Sequence, residues 1–175
     1  MTTIQINSNG EPVGDDGANS ENWEYDSNLM LKKGTYTFSA PVTCGVIIYN
    51  GATVVGGTFE GTVWNEADGK ISGGTFKKTV SNKGTITGGI FVGVDSGSTS
   101  VINYDTGKIT GGVFKVLPSN GIDSAANQYR IEFADDSRDT LSVNGVDFVS
   151  NKLYVVGMDN EEPVSYTHLR AHETK

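Results

Sequence analysis

One phrase returns along the chain with the same residue types in the same order. It reads Val54-Val55-Gly56-Gly57-Thr58-Phe59, then Ile71-Ser72-Gly73-Gly74-Thr75-Phe76, Ile86-Thr87-Gly88-Gly89-Ile90-Phe91 and Ile109-Thr110-Gly111-Gly112-Val113-Phe114. Self-similarity of this kind marks an array in which each unit buries its apolar face only against its neighbours. Each of the first three Phe residues is followed by a Val and then an Asn: Val63 and Asn65, Val80 and Asn82, and, after an insertion rich in Gly and Ser, Val101 and Asn103. Constant motifs at varying spacing predict fixed strands joined by corners of different length.

Side chains alternate along a strand, so the repeat sorts itself into columns. Val54, Ile71, Ile86 and Ile109 form one inward column, Phe59, Phe76, Phe91 and Phe114 a second, and Val63, Val80 and Val101 a third. Upstream, Phe38, Val42 and Ile48-Tyr49-Asn50 are taken as a degenerate first copy, which makes Asn50, Asn65, Asn82 and Asn103 a structural ladder of side-chain amides at a corner. Gly-Gly supplies another corner, where positive φ or a neighbouring coil excludes a Cβ. Repeated Gly-Gly and β-branched runs are hostile to helices. An antiparallel sandwich also uses short alternating strands, but it does not require the same residue in the same slot of every repeat. The expected fold class is all-β: a short parallel β-solenoid (β-helix) of about four to five coils, with a small C-terminal β module.

The remaining segments divide as follows. Residues 1–21 are polar and are expected to be flexible, and residues 22–38 form an N-terminal cap with turns at Asp26-Ser27-Asn28 and Lys33-Gly34. Residues 39–116 carry the solenoid repeats, and residues 117–163 a linker and partial β module. In that module 122–126 is assigned a short helix, followed by alternating strands at 129–133, 140–143, 146–148 and 152–156, with a hairpin turn at Asn144-Gly145. Residues 164–174 match, in order, one reading frame of a transposase-type sequencing adapter. Residues 164–175 are therefore expected to be an artefact, and the native protein to continue beyond Glu162. His168 and His172 fall in that tail, so their spacing is not taken as a metal site.

Composition removes several functions. A net charge of −8 disfavours sequence-independent binding of nucleic acid or anionic lipid. No stretch approaches the apolar length of a membrane span. The single cysteine, Cys44, sits in an apolar run and is expected to be a small filler rather than a reactive thiol. Asp15-Asp16 matches no calcium-loop spacing, so no metal and no cofactor is expected.

The repeat resembles those of large extracellular proteins of anaerobic bacteria, with motifs of the type Gly-Thr-Ile-x-Gly-Gly-Thr-Phe-x-Gly-x-Val-x-Asn. Its lead-in, Trp23-Glu24-Tyr25-Asp26 followed by Leu29-Met30-Leu31, is similar to openings before such repeats, and the likeness covers about residues 23–116. The resemblance implies an extracellular or cell-surface repeat module. Some related β-helical proteins bind acidic plant polysaccharides and others act as adhesin stalks.

β-Helical folds also host lyases and glycosidases, which need carboxylates paired across a groove. The acids among the repeats, Glu60, Glu66, Asp68, Asp95 and Asp105, lie mostly in corners, and Glu60 is placed to pair with Lys77 across adjacent coils. Asp135-Asp136, Arg138 and Asp139 form a charged turn. No catalytic residue is assigned and no enzyme activity is expected. The residue between the inward Val and Asn points outward, giving a column of Tyr49, Trp64, Ser81 and Ile102 with Tyr104 just beyond. Tyr49, Trp64 and Tyr104 are therefore the candidate ligand-binding residues, for a polysaccharide or a host or cell-wall glycan, since aromatic faces stack on sugar rings. The competing expectation is that Trp23 or Tyr25 of the cap covers the strip. A passive stalk or spacer, or a phage tail-fibre segment, is the alternative function.

Overall fold

The computed structural model describes residues 1–13, 19–93, 99–116, 118–119, 128–132, 141–143, 146–148 and 152–156. These residues form a parallel β-solenoid of about four turns, with no helix among them. Two sheets wrap the coil. The first stacks Gly34–Phe38, Ala52–Val54, Lys70–Ile71, Thr85–Phe91 and Lys108–Phe114 in parallel, with Thr58–Phe59 and Thr75–Phe76 joining it beyond the Gly-Gly corner. The second stacks Asn28–Leu31, Gly45–Ile48, Val63–Asn65, Val80–Asn82 and Val101–Asn103, also in parallel.

The inward columns follow from strict register. Tyr36, Val54, Ile71, Ile86 and Ile109 sit opposite one another in turn, and all are buried. The rings of Phe59, Phe76, Phe91 and Phe114 stack face to face at 4.8 Å between centroids, inclined by only 5° to 8°. That separation equals the strand spacing, so register alone dictates the stack. Full burial of each such side chain contributes roughly 1.5–3 kcal/mol, which is how a narrow core holds together.

The two glycines of each corner do different work. The second adopts positive φ, +107° at Gly74 and +118° at Gly89. In the three later corners the first is barred from a side chain by the preceding coil: a Cβ on Gly73 would lie 2.2 Å from the Val55 carbonyl oxygen, one on Gly88 2.6 Å from that of Ser72, and one on Gly111 2.2 Å from that of Thr87. Gly73→Ala is therefore expected to lower stability by roughly 1–3 kcal/mol through forced separation of two coils. Urea denaturation followed by tryptophan fluorescence measures it, and an unchanged midpoint would contradict the close approach.

The first coil differs from its sequence assignment. Val42, not Phe38, bridges to Phe59 and occupies the Phe slot; Val46 pairs with Val63, and Ile48 pairs with Asn65. The degenerate copy is thus displaced by four residues at the Phe and Val positions and by two at the Asn position. Asn50 is not a ladder residue: it lies exposed in the turn after Ile48. Phe38 instead fills the space that Gly57 leaves open, edge-on to Phe59 at 5.0 Å. Branched aliphatics satisfy these slots as well as the motif residues do, because what the slots require is apolar volume.

The N-terminal segment, expected to be flexible, supplies a strand. Thr2–Ile6 runs parallel to Gly34–Phe38 with Ile4 buried opposite Phe38, and Pro12–Val13 returns antiparallel on its outer side. Part of the assigned cap is already coil, since Asn28–Leu31 and Gly34–Phe38 both pair in parallel with the coil that follows. Capping on the second sheet falls to Trp23–Asp26, which folds back antiparallel on Asn28–Leu31 around Ser27 at φ +60°. Beyond Phe114, Lys152–Val156 runs antiparallel along Lys108–Phe114 and pairs in turn with Gln128–Glu132, while Leu141–Val143 and Val146–Phe148 form a hairpin. The assigned helix at 122–126, the tail 164–175, Asp15-Asp16, Asp95 and the charged turn 135–139 lie outside the described residues.

Candidate functional site: an aromatic groove on the second sheet

The second sheet presents two outward rows. Register along the strands places Met30, Ile47, Trp64, Ser81 and Ile102 in one row. Tyr49 therefore does not share Trp64's column; Ile47 does. Tyr49 belongs to the next row, at the turn. There the backbone N–H groups of Tyr49, Glu66, Lys83 and Tyr104 donate to the carbonyls of Leu31, Ile48, Asn65 and Asn82 in the preceding coils. The displaced first coil explains the two-residue error.

Trp64 and Tyr49 nevertheless meet at one place. Together with Asn28, Ile47 and Glu66 they line a depression of 290 Å³ on the outer face. Ile47 stands opposite Trp64 in register and precedes Tyr49 by two residues in the same coil, and Trp64 is half-buried beside it. Gly45 makes the seat: a Cβ there would fall 2.2 Å from Asn28 Oδ1 and 2.8 Å from Cζ3 of the Trp64 indole. A side chain at 45 would thus displace both the ring and the amide. Tyr49 is 39% exposed.

The aromatics of the cap do not cover this groove. Trp23 and Tyr25 stand opposite Leu31 and Leu29, on the core side of the strand, where Trp23 is buried and Tyr25 packs against the core. Tyr104, 43% exposed, lies outside the depression, farther along the turn row, with Lys83 Nζ 5.9 Å from its ring centroid.

Charges around the groove come in pairs. Lys83 Nζ donates to both carboxylate oxygens of Glu66 at 3.0 and 3.3 Å. Lys32 meets Glu24 at 2.6 Å, and Lys77 meets Glu60 at 2.8 Å on another face. These pairs are exposed enough to contribute little to stability. Burial pushes the Cys44 thiol up, which makes it a poor nucleophile.

The inward Asn residues form a hydrogen-bonded ladder. Asn65 Nδ2 donates to Asn82 Oδ1 at 2.7 Å, Asn82 Nδ2 to Asn103 Oδ1 at 2.7 Å, and Asn103 Nδ2 to the Gly107 carbonyl at 3.0 Å. All three are buried. On the first sheet, the hydroxyls of Ser72, Thr87 and Thr110 turn back to the carbonyls of Val54, Ile71 and Ile86. That outward row is committed to holding coils together.

Asn28, Gly45, Ile47 and Glu66 were missed in the sequence. Aligning Val46-x-Ile48 with Val63-x-Asn65 would have placed Ile47 beside Trp64. Among the described residues, no cluster of His, Cys, Asp and Glu could hold a metal ion, and no helix is long and apolar enough to cross a membrane. Comparison of the chain with protein-family models, with curated proteins and with solved structures produced no match.

Proposed function

We propose that the chain is a non-enzymatic carbohydrate-binding module of a surface or extracellular protein, and that the groove at Trp64 and Tyr49 is its binding site. The observation that carries this reading is an aromatic pair around an apolar floor, left uncovered by the cap aromatics Trp23 and Tyr25, with an amide and a carboxylate at the rim. A pyranose ring offers axial C–H groups to an aromatic face and hydroxyls to polar neighbours, and this lining provides for both. The rigid stack beneath holds the groove in place before any ligand arrives, which reduces the entropy lost on binding.

Trp64→Ala is expected to weaken binding of an oligosaccharide at least about tenfold, the loss of one stacking platform. Calorimetry against glycan hexamers measures it. The substitution is at a partly exposed site, so circular dichroism and the urea midpoint should change little. Equal affinity of variant and wild type would overturn the site.

A further inference from the structure

The resemblance to repeats with acidic-polysaccharide binders among their relatives would lead one to expect an acidic ligand here as well. The charge around the groove argues otherwise. We infer that the groove takes a neutral glycan and rejects a uronic-acid chain, and that Glu66 is the specificity-determining residue; this inference rests on the carbohydrate-binding reading above.

Glu66 is the charged residue among those that line the depression, and its charge is negative. The nearest cation in the same row, Lys83, is already engaged by both Glu66 oxygens and lies over the Tyr104 ring. At the other end of the row Lys32 is held by Glu24. Lys33 is exposed on the adjoining turn, where its chain passes Gly51, and it does not line the groove. A uronate stacked on Trp64 would therefore bring its carboxylate toward Glu66 with no uncommitted cation among the described residues of the lining to receive it. Drawing Lys83 away would break its pair with Glu66 and leave that carboxylate bare. A neutral ring meets no such conflict. Its hydroxyls can donate to the Glu66 oxygens, which an ionised carboxylate accepts strongly, and can exchange hydrogen bonds with the Asn28 amide. The acidic balance of the whole chain adds long-range repulsion of a polyanion in the same sense.

The test compares neutral hexamers of β-1,4-linked glucose, mannose and xylose with a galacturonic acid hexamer, by calorimetry at low and high salt. The expected result is that at least one neutral hexamer binds about tenfold or more tightly than the galacturonate at low salt, with the gap narrowing as salt screens the repulsion. Glu66→Gln is expected to raise galacturonate affinity severalfold while moving the neutral hexamer little. Galacturonate bound as tightly as the neutral glycans, and lost in Trp64→Ala, would overturn the inference and leave the binding site standing. A preference for neutral glycans that Glu66→Gln does not change would overturn the role of Glu66. Binding of no hexamer would overturn the carbohydrate reading and the inference together.

Discussion

Replacing Phe76 with alanine is expected to destabilise the solenoid by about 3–5 kcal/mol, the usual cost of emptying a buried aromatic site. Phe76 is enclosed on both faces, by Phe59 and Phe91 at 4.8 Å, and is 1% exposed. The coils above and below are tied by backbone ladders and cannot collapse into the gap, so the cavity term is retained in full. The urea midpoint reports the loss. A second measurement separates stacking from simple burial: Phe76→Leu keeps most of the apolar volume and should recover well over half of it. If alanine costs no more than about 1 kcal/mol, the ring is not sandwiched as described.

The second large effect belongs to Asn82. Removing its amide in Asn82→Ala takes away two short buried hydrogen bonds at once, the 2.7 Å bond from Asn65 Nδ2, which keeps only a 3.5 Å contact to the Thr85 carbonyl, and the 2.7 Å bond to Asn103 Oδ1. With roughly 1–3 kcal/mol for each buried group deprived of its short hydrogen bond, a loss of about 2–4 kcal/mol is expected. A polar column is not the only solution for this slot, because Leu31 and Ile48 already fill it in the first two layers. Substituting Asn65, Asn82 and Asn103 together by leucine removes the side-chain donors and acceptors as a set, leaving the Gly84 and Gly107 carbonyls without their amide donors. The triple variant should lose much less than three times the single loss, and possession of a midpoint above that of Asn82→Ala would show the coupling directly. Strict additivity would mean that the amides do not act as a chain. The ladder also has a loose end. Asn65 Oδ1 is buried without a donor, since its neighbour one coil back is Ile48.

How much of this was legible follows from what a slot requires. The Phe, Ile and Val columns of residues 54–114 repeat the same residue in the same place, and parallel register converts that identity into geometry. The first coil carries the same shape with different letters. Val42 stands for Phe, Val46 for Val, and Ile48 for Asn. A search for matching residues slides past it to Phe38 and Asn50, and the two-residue slip carries Tyr49 with it into the wrong row. Thr2–Ile6 could not be recognised from its own residues, because a single short strand acquires its meaning from the sheet edge it joins. The groove was half visible. Its two aromatics stood out, while Asn28 and Glu66 reach it from a different coil and from a turn, a proximity set by corner lengths that no local pattern encodes.

The antiparallel strands at the ends of the stack have a consequence for the behaviour of many molecules together. Identical rungs at strand spacing, with stacked Phe rings and Asn amides, are the geometry of a cross-β fibril, which grows by adding one more rung of the same direction. At their N-terminal edges the first sheet ends on Pro12–Val13 and the second on Asn19–Ser20, strands of 2 residues each, and Pro12 withholds a backbone donor there. An arriving coil of a second molecule finds only a short rung at these edges. The same motif that makes the solenoid easy to assemble within one chain thereby offers little edge for pairing between chains at its N-terminal end.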